Sequence, residues 1–147
     1  MRSRYFFWWR TPRQLRQKDG YGIKANIDWK GTLGTEWRQY EATFPVLAQS
    51  RIDQVSLECR NARVPTRLMR LLDGKDVLVG VIDVATDRVE TPEEVAATIE
   101  DAMEFVPPER LYPCTNCGMA PMTRDIAEAK LAALGAGAAL ARRRLGA

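Results

Sequence analysis

Val77-Leu-Val-Gly-Val-Ile82, closed by Asp83, is the stretch that decides the fold. An unbroken apolar run of this length has no polar face to give to water. It reads as a strand buried on both sides, as in a parallel sheet covered by helices. Just downstream, Thr91-Pro-Glu-Glu94 is a helix start: Thr91 as N-cap, Pro92 at the first helical position and Glu94 closing a capping box. Val95, Ile99, Met103 and Val106 follow at helical spacing, down to Pro107-Pro108.

Upstream, Arg51-Ile-Asp-Gln-Val-Ser-Leu-Glu58 reads as a strand ending in a carboxylate. Pro65-Thr66 opens a short helix with Leu68, Leu71 and Leu72 on one side, and Asp73-Gly-Lys-Asp76 is a turn. A third short strand is expected over 110–113 and a last helix over about 123–144, with Ile126, Leu131, Leu134 and Leu140 as its apolar residues. Gly135 and Gly137 lie inside that helix, each costing about 1 kcal/mol relative to Ala, and are read as allowing close approach of helix to sheet. Alternation of strand and helix implies right-handed βαβ crossovers and a parallel sheet. A full (β/α)8 barrel needs roughly 250 residues. At 147 residues the chain is either the last three βα units of such a barrel or a small open α/β sheet.

Composition narrows the chemistry. The chain has no histidine, which excludes a Ser-His or Cys-His catalytic pair and any imidazole metal ligand. Its three cysteines, without a leader-like segment, fit a reducing cytoplasm rather than a disulfide framework. The net charge of +3 is concentrated near the start, where Arg2, Arg4, Arg10, Arg13, Arg16, Lys18 and Lys24 face the single acid Asp19. The run Tyr5-Phe-Phe-Trp-Trp9 is too short for a secretory or membrane segment, and no aromatic-basic period is present. Neither a nucleic acid nor a membrane is an expected partner. Residues 1–28 read as an irregular basic and aromatic segment, distinct from 29–147.

Leu111-Tyr-Pro-Cys-Thr-Asn-Cys-Gly118 carries two thiols between a strand and a helix. Thiolates are favoured at a helix N-terminus, and ligands of α/β folds bind beyond the carboxyl ends of the strands. Glu58, Asp83, Cys114 and Cys117 are therefore the candidate site residues. Cys59, one residue past Glu58, turns to the opposite face and into the core.

Several stretches together resemble the C-terminal part of the cobalamin-independent methionine synthase family. They are Val55-Ser-Leu-Glu58, Val79-Gly-Val-Ile-Asp-Val84, Val89-Glu-Thr-Pro92, Pro107-Pro-Glu-Arg-Leu111, Asn116-Cys-Gly118 and Lys130-Leu-Ala-Ala-Leu-Gly-Ala-Gly137, in order over about residues 29–145. The resemblance implies a partial TIM barrel and a zinc-dependent methyl transfer from a methyltetrahydrofolate-type donor to the thiol of homocysteine. It implies Glu58 and Cys117 as zinc ligands, with Cys114 as a substitute ligand or a small buried residue. It places Asp83 in the substrate pocket, against the simpler reading as a cap.

The chain departs from the family pattern in two places. The His-x-Cys ligand pair is expected shortly before Trp29-Lys-Gly31, where the text reads Gly22-Ile-Lys-Ala-Asn-Ile-Asp28. The histidine expected after the Asp83-like aspartate is also replaced, by Val84-Ala85. The expectation is that residues 1–28 are not barrel sequence, as in a truncated gene or a start read in another frame. Independent catalysis is expected to be weak. The alternative is a non-catalytic partial barrel that self-associates or takes a partner carrying the missing strands.

Overall fold

The computed structural model describes residues 5–6, 37–62 and 64–146. Among the described residues four parallel strands lie in sequence order: β1 (Tyr5–Phe6), β2 (Gln54–Glu58), β3 (Asp76–Ile82) and β4 (Leu111–Thr115). Three α-helices accompany them: α1 (Trp37–Ala48), α2 (Pro92–Met103) and α3 (Arg124–Leu145). A 3-10 turn over Thr66–Leu71 connects β2 to β3 and packs against α1. This is the α/β architecture of a partial barrel, built of consecutive parallel βα units.

β3 is central, paired on both edges, and its Val77, Val79, Val81 and Ile82 are all fully buried. Val55 and Leu57 of β2 join Val77 and Val79 in the core, with Val95, Ala96, Ile99 and Ala102 of α2 packed over them. Strand alternation puts Gln54, Ser56, Glu58, Leu78 and Cys114 on the other face, where burial is only partial. Tyr112 on that face is exposed. In a closed barrel that face looks inward.

The start of α2 is as the sequence predicts. The Glu94 amide donates to Thr91 Oγ1 at 3.2 Å, and the Thr91 amide donates to Glu94 Oε2 at 2.9 Å. Glu94 also receives Arg88 at 2.7 Å and Arg60 at 3.0 Å. The hydrogen bond from Arg88, followed by that from the Thr91 amide, holds the Glu94 carboxyl at about 2 instead of the usual 4.5.

Several expectations need correction. β1 falls within a segment read as irregular, and its two residues pair with Gln54 and Val55. The rest of residues 1–28, including the stretch that lacks the His-x-Cys pair, lies outside the described residues. α1 was not expected at all, and Pro45 inside it is what obscures it. Its signal is Tyr40, Phe44 and Leu47 at helical spacing, with the first two rings 5.3 Å apart. β4 runs on through Cys114, so that thiol is a strand residue. α3 does not begin until Arg124, and neither Cys114 nor Cys117 sits at its N-terminus.

In α3 the buried stripe is Lys130, Ala133, Gly137 and Ala141, while Leu131 is 51% exposed. The helix is continuous through both glycines. Gly137 serves a helix-to-helix contact with α2: a Cβ there would lie 2.4 Å from the Val95 side chain and 2.9 Å from the Pro92 carbonyl. Gly135 has nothing within 4 Å of its Cβ position.

These two glycines should therefore respond oppositely to alanine in urea melts. Gly135→Ala is expected to stabilise by about 0.5–1 kcal/mol through helix propensity alone. Gly137→Ala is expected to destabilise by about 1–3 kcal/mol, because α2 and α3 must separate. The cap makes a second prediction. A carboxyl whose folded value lies below its unfolded value stabilises above the unfolded value, and that contribution goes as pH falls through the folded one. Wild-type stability should lose this contribution between pH 4.5 and about 2. Glu94→Gln should lack that part of the acid limb in melts taken across the range.

Candidate functional site

All the strands are parallel, so everything that follows a strand collects at one rim of the sheet. Glu58 ends β2, Asp83 follows β3, and Cys117 lies just beyond β4. In the register Glu58 pairs with Gly80, and Gly80 with Cys114. Glu58 and Cys114 are thus in one row with a glycine between them.

The space above that glycine is taken by Asn116. A Cβ on Gly80 would fall 2.4 Å from Asn116 Oδ1, 2.8 Å from the Leu57 carbonyl and 2.9 Å from Asn116 Cα. From that position the buried Asn116 carboxamide bonds the Arg60 backbone in both directions. The Arg60 amide donates to Oδ1 at 3.3 Å, and Nδ2 donates to the Arg60 carbonyl at 3.3 Å. The Asn116 amide donates to the Ile82 carbonyl at 2.8 Å, where a bulge shifts the β3–β4 register between Gly80 and Ile82. One residue beside Cys117 therefore joins the turn after β4 to the loop after Glu58. Thr115 Oγ1 donates to the Cys117 carbonyl at 2.8 Å and fixes the turn from its other side.

Asp83 is held more tightly still and is 4% exposed. Its Oδ1 accepts the Ala85 amide at 2.9 Å, an Asx turn. Its Oδ2 accepts Asn61 Nδ2. Asn61 makes that reach from a left-handed conformation, φ 62°, which asparagine tolerates better than most residues. The Asp83 amide donates to Glu90 Oε1 at 2.8 Å, and the Asp83 carbonyl accepts Lys130 Nζ at 2.9 Å. Asp83 is a cap, as the simpler reading has it, and it is a rim carboxylate as well.

The thiols differ among themselves. Cys59 is in the core, as expected, and burial, with the Cys114 and Glu58 charges, pushes its thiol up to about 12. Burial likewise pushes Cys114 up to about 11, against a hydrogen bond with Ser56 that lowers it. Burial thus disfavours the thiolate at both, and the place of Cys114 within β4 rather than at a helix N-terminus corrects the expectation of a favoured thiolate there. Cys117 is half-buried on the turn.

A zinc ion needs three or four protein donors, with Cys sulfur at about 2.3 Å and carboxylate oxygen at about 2.0–2.2 Å. Glu58 and the two thiols have suitable chemistry. Yet among the described residues no three His, Cys, Asp or Glu side chains group so as to hold a metal ion. The Asn116 carboxamide over Gly80 stands between Glu58 and Cys114. The described residues alone do not fit a complete zinc site. No described helix is long and apolar enough to cross a membrane.

A family model described as the catalytic domain of cobalamin-independent synthase matches residues 38–139. The chain belongs to this family. A B12-independent methionine synthase from Shewanella sp. W3-18-1, solved with selenomethionine, matches with a TM-score of 0.74 and 59% identity, over 86% of this chain and 37% of that one. A methionine synthase of Saccharolobus islandicus (strain Y.G.57.14) is 33% identical over 138 residues, covering 88% of this chain and 42% of the relative. That of Thermococcus kodakarensis is 38% identical over 96 residues, 65% of this chain and 29% of the relative. The chain thus spans less than half the length of these relatives.

Three residues that organise this rim, Asn61, Asn116 and Lys130, were not among the candidates. Lys130 left a readable signal, since a lysine stands on the stripe otherwise made of Ala133, Gly137 and Ala141. The asparagines left none, because their partners are backbone groups brought together only by the fold.

The Gly80–Asn116 contact predicts a specific coupling. Gly80→Ala and Asn116→Ala should each destabilise by about 1–3 kcal/mol in urea melts. The double variant should cost less than the sum, since removing the carboxamide vacates the space that the new methyl needs. Strict additivity would show that the two residues do not share that space.

Proposed function

We propose that this chain is the C-terminal portion of a methionine-synthase catalytic barrel, acting in methyl transfer to the thiol of homocysteine from a methyltetrahydrofolate-type donor. In that reaction the thiol sulfur gains the methyl group as the donor's carbon–nitrogen bond breaks. The thiol gives up its proton, and the donor nitrogen takes one up. The observation that carries the reading is the rim itself: Glu58 ends β2, Asp83 follows β3 and Cys117 lies just beyond β4, all at one end of a parallel sheet and within the residues the family model matches.

In this reading Asp83 accepts hydrogen bonds from the ammonium group of the amino-acid substrate and orients it. Its pinned carboxylate supports that role, because an oriented acceptor gives up little freedom on binding. Glu58 and Cys117 are the donors this portion contributes toward the zinc ion of the family reaction, and Cys114 is their half-buried neighbour. Zinc would ionise the substrate thiol at neutral pH while leaving it nucleophilic. The donors present do not complete a site, so no step is assigned to zinc within this chain. The cytoplasm, where methylfolate-type donors and reduced thiols coexist, is the proposed compartment.

A second reading is a subunit of a divided barrel that requires the missing strands from a partner or another copy. Its support is the half-buried face of Gln54, Ser56 and Leu78, with the exposed Tyr112.

Zinc content and methionine formation test both. The purified chain, given zinc, L-homocysteine and the methyl donor, is expected to form no methionine alone. It should form methionine once a fragment of a relative carrying the earlier barrel strands is added. Loss of that rescue in Glu58→Gln and Cys117→Ser is the expected control. Rescue that survives both substitutions would overturn the assignment of this rim.

A further inference from the structure

Lys130 is wholly buried, and every donor of its ammonium group is used. Nζ donates to the Asp83 carbonyl at 2.9 Å, to Glu90 Oε2 at 3.0 Å and to the Arg88 carbonyl. The ion pair with Glu90 is as dry as the core, its side chains 0% and 2% exposed. Glu90 spends its other oxygen on the Asp83 amide, at 2.8 Å. Lys130 and Glu90 therefore grip the same residue from both sides, one at its carbonyl and one at its amide.

We propose that Lys130 and Glu90 are positioning residues for the Asp83 carboxylate, a role that rests on Asp83 facing the substrate as read above. Stability alone does not account for the pair. Two buried charges carry a desolvation cost, and apolar residues of the same size are often as stabilising or more so. An apolar pair could not bond the amide and carbonyl of Asp83. The loop between the two gripped points is exposed from Ala85 to Val89, so packing does not hold it. The ion pair ties its ends to α3, and the Gly137–Val95 contact fixes α3 against α2. With the main chain set, the Ala85 amide and Asn61 carboxamide complete the orientation of the side chain.

Those two groups are also the reporters. In the full chain labelled with nitrogen-15, the Ala85 amide reads Asp83 Oδ1 and the Asn61 side-chain amide reads Oδ2. Asp83→Asn calibrates how far each signal moves when the carboxylate is lost. In the double variant Lys130→Met/Glu90→Gln, which leaves no lone buried charge, both signals should move by at least half that distance. Exchange of the Ala85 amide with deuterium should accelerate tenfold or more, with the Val55 and Val79 amides unmoved. Glu90→Gln alone, which keeps size and shape, is read the same way and carries the comparison if the double variant does not fold. Wild-type positions of both reporters in a folded but less stable variant would overturn the proposal and leave the pair as structural glue. Adding L-homocysteine to the wild type, together with zinc and the fragment carrying the earlier barrel strands, tests the substrate reading separately. Its failure to move the Ala85 signal would sink that reading without touching the ligand-free comparison.

Discussion

A missing side chain at Gly80 is the constraint on which the rim is built. β3 is the middle of the three longer strands and is buried from Val79 to Ile82, so any Cβ at Gly80 would have to be accommodated by neighbours that cannot retreat. One of those neighbours is the backbone carbonyl of Leu57, in the adjacent strand. With glycine there, Asn116 folds over β3 and bonds the backbone on the far side, at Arg60. The loops after β2 and β4 are not adjacent in the sheet, and this contact makes them neighbours.

The loop after β3 is held in another way. Asn116 reaches only the residue before it, through the Ile82 carbonyl, and from Ala85 to Val89 the chain is exposed. Its anchorage comes from below, through the buried lysine of α3, and from the side, through Asn61. Each rim loop is thus fixed by polar side chains bonding backbone groups of a different segment. In a low-dielectric setting such bonds are strong when complete and costly when broken. That favours a single arrangement of Glu58, Asp83 and Cys117 over a family of loose ones.

Much of the architecture could be read from the text because it follows from local rules. The apolar run of β3, the Thr91–Glu94 capping box and the stripe of Val95, Ile99 and Val106 each name their own structure. Hidden elements have local causes too. Pro45 masks the Tyr40, Phe44 and Leu47 stripe of α1, and a two-residue strand such as Tyr5–Phe6 is too short to show a period. In α3 the large apolar residues mislead: tight packing against α2 selects Ala133, Gly137 and Ala141, and leaves Leu131 outside. The candidate site was legible only as acids and sulfurs at or just past strand ends. What holds them was not, because carboxamide-to-backbone bonds span dozens of residues and have no spacing rule. Burial of Cys114, which disfavours its thiolate, likewise depends on strand register that only the fold supplies.

The barrel lineage of this piece has a further physical consequence. Among the described residues, the bonds from Asn61 to Asp83, from Asn116 to Arg60 and from Lys130 to Asp83 and Glu90 lie within residues 60–130. These bonds need no strand from elsewhere in a barrel. The inward face is different: Gln54, Ser56, Leu78 and Tyr112 are polar or half-covered and would be completed only by strands across the barrel. Rim geometry and barrel closure are therefore separable here. A segment of a (β/α)8 fold can fix the geometry of its own rim loops, while enclosure of the inward face belongs to the full circle of strands.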